Sequence, residues 1–139
     1  MVPVDPDRLR PKIQHVRDRL ERLRKVRAAG REAFLDDELM QDAAVRNLQT
    51  SVEALLDMAN HIAARGGLGT PTRYRDAVDL LIEHGILPEE KTDAYRAMVR
   101  FRNRAVHLYD EIDADEIWAI LEEDLTDFET FVGAVVGRY

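Results

Sequence analysis

The sequence of 139 residues contains no cysteine, and aromatic residues make up only 6% of it. The absence of cysteine excludes disulfides, thiolate catalysis and cysteine-bound zinc. No apolar run approaches the roughly 20 residues that a membrane-spanning helix needs. The amino-terminal stretch MVPVDPDRLRPK also lacks the apolar core of a signal peptide. We therefore expect a cytoplasmic protein that has no membrane partner and forms a single domain over residues 1–139.

Basic residues are also fewer than acidic residues. The chain has 20 lysines and arginines against 27 aspartates and glutamates, which gives a net charge of −7 at pH 7. Proteins that bind nucleic acid without specificity are usually basic, because contacts to phosphates require lysine and arginine. Any contact with RNA must therefore come from a local site, and the simplest role of the net negative charge is solubility.

Apolar residues recur at helical spacing along the whole chain, without the alternation that is typical of strands. The pattern predicts five helices, over residues 7–28, 37–64 and 72–83, from Pro88 into the stretch at 100–109, and from Asp113 or Asp115 to residue 135. Glycines and prolines separate the first four helices. Short connections predict an all-α antiparallel bundle of four long helices and one short helix.

The stretch RFRNRAVHLY, residues 100–109, brings three arginines, an asparagine, a histidine and a tyrosine together. Histidine can transfer protons near neutral pH, and the planar fork of arginine suits a phosphate. Such groups could cleave RNA without a metal, because the 2′-hydroxyl of RNA serves as the nucleophile. However, a histidine among arginines is common on protein surfaces, and arginines near a helix end also stabilise the helix dipole. The residues alone leave both roles open.

Helical geometry separates the residues of this stretch. On an ideal helix His107 shares a face with Asn103 and Arg104. Arg102 lies about 140° away from His107, on the face of Tyr109. One straight helix therefore cannot direct Arg102 and His107 at one point, so either the helix unwinds or a second copy supplies the missing face. We favour a two-fold homodimer, because an isologous interface brings two copies of the stretch together.

Polar residues of the predicted second helix could support this stretch. Glu53 and Asp57 are four residues apart and share a face. If they are buried beside arginines, such carboxylates could orient the arginines by hydrogen bonds, and we name Asp57 as a supporting residue. A solvated helix face is the alternative. Tyr74 and Trp118 are interpreted as core or interface aromatics. No histidine has a second ligand at metal-binding spacing, so we predict neither a metal site nor a cofactor.

The segment from Arg102 to Tyr109, RNRAVHLY, resembles the R-x4-H-x-Y motif of the HepT-like branch of HEPN-domain proteins. Residues 44–67, AVRNLQTSVEALLDMANHIAARGG, resemble the second helix of that family. Residues 70–90, TPTRYRDAVDLLIEHGILPEE, then the motif and an acidic last helix, follow the family's order. The resemblance covers nearly the whole chain. R-x4-H alone is a loose pattern, but the tyrosine and the flanking segments make the match fairly specific.

The resemblance implies an all-helical homodimer that acts as the toxin of a type VII toxin–antitoxin module. In that family the toxin is a metal-independent endoribonuclease whose motif lines a cleft at the dimer interface. A minimal nucleotidyltransferase (MNT-type) antitoxin transfers AMP from ATP to the motif tyrosine and silences the toxin. By position, Arg102 would hold the scissile phosphate, His107 would transfer protons and Tyr109 would be modified. Asn103 and Arg104 would be auxiliary residues.

A second interpretation is a non-catalytic subunit that binds the nucleotidyltransferase and serves as its protein substrate. The net negative charge and the lack of an extended basic face leave room for this interpretation. The presence of Arg102, His107 and Tyr109 favours the nuclease. The sequence leaves open which RNA is cut, how many AMP units are added and how the two proteins assemble.

Overall fold

The computed structural model describes residues 3–108 and 111–139, and the regular structure within these ranges is entirely helical. The described α-helices are Pro6–Ala28 (α1), Arg31–Leu35 (α2), Glu38–Arg65 (α3), Tyr74–Glu83 (α4), Thr92–His107 (α5), Ala114–Glu123 (α6) and Leu125–Val136 (α7). A 3-10 turn at Glu89–Lys91 precedes α5. The predicted all-α fold is confirmed. Across the part of the chain that the structure describes, every helix is too short or too polar to cross a membrane.

Helix α3 is the central element of the bundle. Twelve of its residues are buried, and α1, α4 and α5 pack against it. Two contacts along the α1–α3 pair define its direction. Lys12 Nζ donates to Asp57 Oδ2 at 3.2 Å, and Arg19 donates to Asn47 Oδ1 at 3.3 Å. Because residue numbers rise along α1 as they fall along α3, the two longest helices run antiparallel.

Aspartate caps fix where two of the predicted helices begin. Asp37 Oδ1 accepts a hydrogen bond from the backbone N–H of Met40 at 3.0 Å. Asp113 Oδ1 accepts one from the backbone N–H of Glu116 at 2.8 Å. A side-chain oxygen at this position satisfies a backbone donor that has no partner inside the helix. Of the two predicted caps after the motif, the structure therefore selects Asp113.

Two helix boundaries differ from the prediction. The α-helix that carries the motif begins at Thr92 rather than Pro88, because residues 89–91 form the 3-10 turn. The predicted last helix is two helices, α6 and α7, which meet at Asp124 with φ −112° and ψ −5°. Aspartate has low helix propensity because its side chain competes for backbone hydrogen bonds. A pair of short helices therefore replaces the fourth long helix.

The short helix α2 was not predicted. It follows Gly30, whose φ of +96° lies in the left-handed region that favours glycine. Phe34 of α2 is fully buried, and its ring centroid lies 5.5 Å from that of Trp118 in α6. Leu39, which the periodicity assigns to the buried stripe, is instead 81% exposed. Phe34, rather than Leu39, therefore fills this end of the core.

Replacing Phe34 tests the contribution of α2 to stability. Phe34→Ala is expected to lower the free energy of unfolding by about 3–5 kcal/mol, because it removes a buried ring and leaves a cavity beside Trp118. Urea denaturation followed by circular dichroism measures the change. Leu39→Ala is the matched control, with an expected change within about 0.5 kcal/mol. Equal stability of the two variants would contradict the role given to α2.

Candidate functional site

The side chain of Arg102 is held between three neighbours. Its Cζ lies 5.1 Å from the centroid of the Tyr74 ring, in cation–π geometry. Its Nη2 is 3.9 Å from Glu53 Oε2, and its Nη1 donates to Asn103 Oδ1 at 3.4 Å. The Nε atom is buried without a partner among the described residues. With 20% of its side chain exposed, Arg102 is a positioned cation rather than a freely moving one.

The Tyr74 ring, which Arg102 contacts, is held in place by the carboxylate of Asp57. The hydroxyl of Tyr74 donates to Asp57 Oδ1 at 3.3 Å, and the other oxygen of Asp57 accepts from Lys12. Burial and the charge of Asp57 raise the pKa of Tyr74, so its hydroxyl remains a donor at neutral pH. Asp57 therefore contacts Tyr74, and only the Tyr74 ring connects it with Arg102. Glu53 is the carboxylate that faces the guanidinium.

A cleft of about 530 Å³ opens between the start of α4 and one side of α5. Arg102 and Asn103 both line it. All its charged lining residues are arginines, and its other lining residues are neutral. The arginines, which define what we call the arginine cleft, are Arg73, Arg75, Arg96, Arg100 and Arg102. A local basic site is thus present in a chain whose net charge is −7.

Arg104 points away from the arginine cleft. Its Nη2 donates to Glu116 Oε2 at 2.9 Å and to the carbonyl oxygen of Glu111 at 3.2 Å, and its Nη1 also pairs with Glu116. The hydrogen bonds to Glu116 raise the pKa of Arg104. This bidentate pair ties the end of α5 to the start of α6. The contacts of Arg104 within one chain are therefore structural.

His107 is the last residue of α5, and its side chain is exposed. It is not among the residues that line the arginine cleft of a single chain. Within one chain the structure thus brings Arg102 together with Asn103, but it does not bring His107 into the same cleft. Tyr109, the predicted modification site, lies outside the described residues.

Glu53 and Tyr74 are site residues that the sequence analysis did not select. The spacing of Glu53 and Asp57 indicated a shared face, but it could not show which carboxylate meets an arginine. Tyr74 was interpreted as a core or interface aromatic, and its ring is indeed partly buried. No sequence signal connects it with Arg102, because that contact depends on how α4 packs beside α5.

Comparison with solved structures defines the class of protein. The structure is similar to the tri-AMPylated Shewanella oneidensis HEPN toxin solved in complex with an MNT antitoxin. That match has a TM-score of 0.86 and 32% identity, and covers 93% of this chain and 96% of that chain. A toxin–antitoxin structure with AMP-PNP matches with a TM-score of 0.84 and 32% identity, over 91% and 96% of the two chains. The fold is therefore that of the HEPN toxins.

Sequence comparison then defines the family. The family model described as ribonuclease HepT-like matches residues 16–135. The mRNA nuclease HepT of Shewanella oneidensis is 34% identical over 124 residues, which make up 89% of this chain and 92% of that protein. This chain belongs to the HepT-like ribonuclease family.

The contact between Arg102 and Tyr74 predicts a spectroscopic signature. The Nε–H proton of Arg102 is expected to resonate upfield of other arginine Nε–H protons, because it lies near the face of an aromatic ring. Tyr74→Phe keeps the ring and should keep the shift, whereas Tyr74→Leu should abolish it. Nitrogen-edited NMR spectra of the arginine side chains measure this. An unshifted Arg102 signal in the unaltered protein would contradict the contact.

Proposed function

We propose that this protein is the toxin of a HepT/MntA-like type VII toxin–antitoxin module and cleaves RNA at the arginine cleft. The observation that carries the proposal is the placement of Arg102, which is held by a ring and a carboxylate in a cleft whose charged lining residues are all arginines. The fork of Arg102 binds the scissile phosphate through two of its donors. The similarity to an mRNA nuclease supports RNA as the substrate.

The reaction requires no nucleophile from the protein. The 2′-oxygen of the RNA attacks the adjacent phosphorus, and the bond from phosphorus to the 5′-oxygen breaks as the new bond forms. One group accepts the 2′-hydroxyl proton and another donates a proton to the leaving 5′-oxygen, which gives a cyclic 2′,3′-phosphate and a free 5′-hydroxyl. His107 performs one of these transfers. Arg102 stabilises the charge of the phosphorane, so the proposed mechanism is metal-independent.

A homodimer completes this site. Helix α5 remains regular through His107, which favours a second copy over local unwinding as the way to combine His107 with Arg102. Val106 and Leu108, on either side of His107, are 40% and 48% exposed. An isologous contact at this end of α5 would cover both apolar side chains and direct His107 of the partner subunit toward the arginine cleft.

Tyr109 is the proposed acceptor of AMP from an MNT-type nucleotidyltransferase antitoxin. The support is the motif position and the related HEPN toxin, which was solved in its tri-AMPylated form with an MNT antitoxin. Each AMP adds a phosphate anion a few residues from Arg102. The adduct pairs with the arginine that otherwise binds substrate and obstructs the cleft. We place the module in the cytoplasm, where ATP and RNA are both available.

The second candidate function is a non-catalytic subunit that serves as the protein substrate of the nucleotidyltransferase. Two observations favour it: the net negative charge, and the absence of His107 from the arginine cleft of a single chain. In this case the module would depend on binding and modification alone. Cleavage assays on the unmodified protein separate the two functions.

Unmodified protein is expected to cleave RNA in the presence of EDTA. His107→Ala should lower the rate by about 10²-fold or more, the usual contribution of a general acid or base. His84→Ala, which removes an exposed histidine at the end of α4, is the matched control and should cleave normally. Gel analysis of labelled RNA measures the rates. Equal cleavage by His107→Ala and unaltered protein, or none by either, would favour the non-catalytic function.

Incubation with the antitoxin and ATP is expected to add AMP units to the protein, detected by intact-mass spectrometry. Tyr109→Phe should abolish these increments, because phenylalanine has no hydroxyl to attack the α-phosphate. Tyr139→Phe is the control, since Tyr139 is exposed and lies outside the motif. AMP increments that persist in Tyr109→Phe would overturn the assignment of Tyr109.

A further inference from the structure

The arginine cleft extends well beyond the R-x4-H-x-Y motif. Along α5, Arg96, Arg100, Asn103 and His107 follow one another at spacings of four, three and four residues. At 100° per residue these four positions lie within about 60° of one another on the helix surface. The first three line the cleft, and His107 lies one turn further along the same face. The helix therefore presents a polar stripe that runs along the cleft and ends at His107.

Among the described residues, the donors along this stripe are not all paired. Arg100 is exposed and has no hydrogen-bond or ion-pair partner among residues 3–108 and 111–139. Arg96 donates its Nε to Asp79 at 3.1 Å, which leaves both of its Nη groups without a partner in the described structure. Arg73, on the opposite wall, makes a long contact of 3.4 Å from one Nη to Asp76. By contrast, Arg104 at the α5–α6 junction donates to Glu116 and to the carbonyl oxygen of Glu111.

The start of α4 contributes two further arginines, Arg73 and Arg75, to the cleft. Helix α4 begins at Tyr74, and Thr72, Arg73, Tyr74 and Arg75 all line the cleft. The partial positive charge of the helix terminus is offset by Asp76, which accepts hydrogen bonds from the backbone N–H of Arg73 and the hydroxyl of Thr72, so the arginines supply the positive charge of this wall. Two helices thus place positive charge on opposite walls of a cleft large enough for part of one nucleic-acid strand.

We infer that Arg100, supported by Arg96 and Arg73, binds phosphates of the substrate RNA that flank the scissile phosphate. This inference rests on the proposed nuclease function, and it adds a binding track outside the motif. Arg96, at the far end of the track, and Arg102, the proposed ligand of the scissile phosphate, are six residues apart, or about 9 Å along the helix axis. At about 3.4 Å of rise per nucleotide in a helical strand, that distance corresponds to roughly three nucleotides. The preferred substrate is a single strand that extends several nucleotides to one side of the cleaved bond.

Arg100→Gln tests this track without removing an intramolecular contact that the described structure contains. The matched control is Arg46→Gln, which removes an equal charge from an exposed position of α3. Arg46 precedes Asn60, a cleft residue on the same helix, by 14 residues, or about 21 Å along the axis. Both substitutions are placed in a His107→Ala background, so that binding of a labelled single-stranded RNA octanucleotide is measured without cleavage.

Loss of a phosphate contact reduces both the affinity for RNA and the dependence of that affinity on salt concentration. Arg100→Gln is expected to weaken octanucleotide binding roughly three- to tenfold and to reduce the slope of log Kd against log salt by about 0.7. Arg46→Gln should change neither quantity. Arg100→Lys should restore the salt slope, because lysine keeps the charge that displaces a counterion.

Kinetics in the cleavage-competent protein provide the second readout. Arg100→Gln is expected to act through KM more than kcat, and to impair cleavage of the octanucleotide more than that of a dinucleotide, which cannot reach the track. If the unaltered protein cleaves RNA but Arg100→Gln and Arg46→Gln behave alike, the inference is wrong and the proposed function stands. If the unaltered protein neither binds nor cleaves RNA, the proposed function fails, and the inference fails with it.

Discussion

Burial of α3 constrains both the bundle and the site. Twelve of its 28 residues are buried, and Glu53, Asp57 and Asn60 are partly buried polar residues beside them. Glu53, Asp57 and Asn60 occupy successive turns and meet the site in different ways. Glu53 faces Arg102, Asp57 binds the hydroxyl of Tyr74, and Asn60 lines the arginine cleft. The helix that organises the hydrophobic core thereby also sets the position of the proposed phosphate-binding arginine.

Helical periodicity was sufficient to predict the all-α class and most helix positions, because each helix buries an apolar stripe against a neighbour. It failed where another interaction decided the outcome. The five residues of α2 are too few to show a period, and they are helical because Phe34 enters the core. Within the site, the angular argument separated Arg102 from His107, which is absent from the cleft that Arg102 lines, but it grouped Asn103 with Arg104, whereas Asn103 lines the cleft beside Arg102. It could not identify Glu53 or Tyr74 as neighbours of Arg102, since both contacts depend on the packing of α3, α4 and α5.

The three arginines of residues 100–104 have different surroundings on α5. Arg104 forms a bidentate pair with Glu116 and joins α5 to α6, whereas Arg102, two residues earlier, lies over Tyr74 in the cleft. Arg100 has neither kind of partner within the described structure. Composition alone treats the three residues as equivalent, but their surroundings leave only some of their donors available to a ligand. The order of arginines along α5 thus combines an ion pair that joins two helices with the proposed phosphate-binding surface.

The arginine cleft brings five arginines together in a chain whose net charge is −7, and this combination affects which polyanions the protein attracts. Proteins with broad basic faces are retained on chromosomal DNA, because non-specific affinity rises with each phosphate neutralised. The net negative charge of the chain repels a long duplex whose phosphates extend beyond the cleft. A larger share of such molecules therefore stays unbound by the genome. Under the proposed function, they remain free to diffuse to transcripts and to the proposed antitoxin.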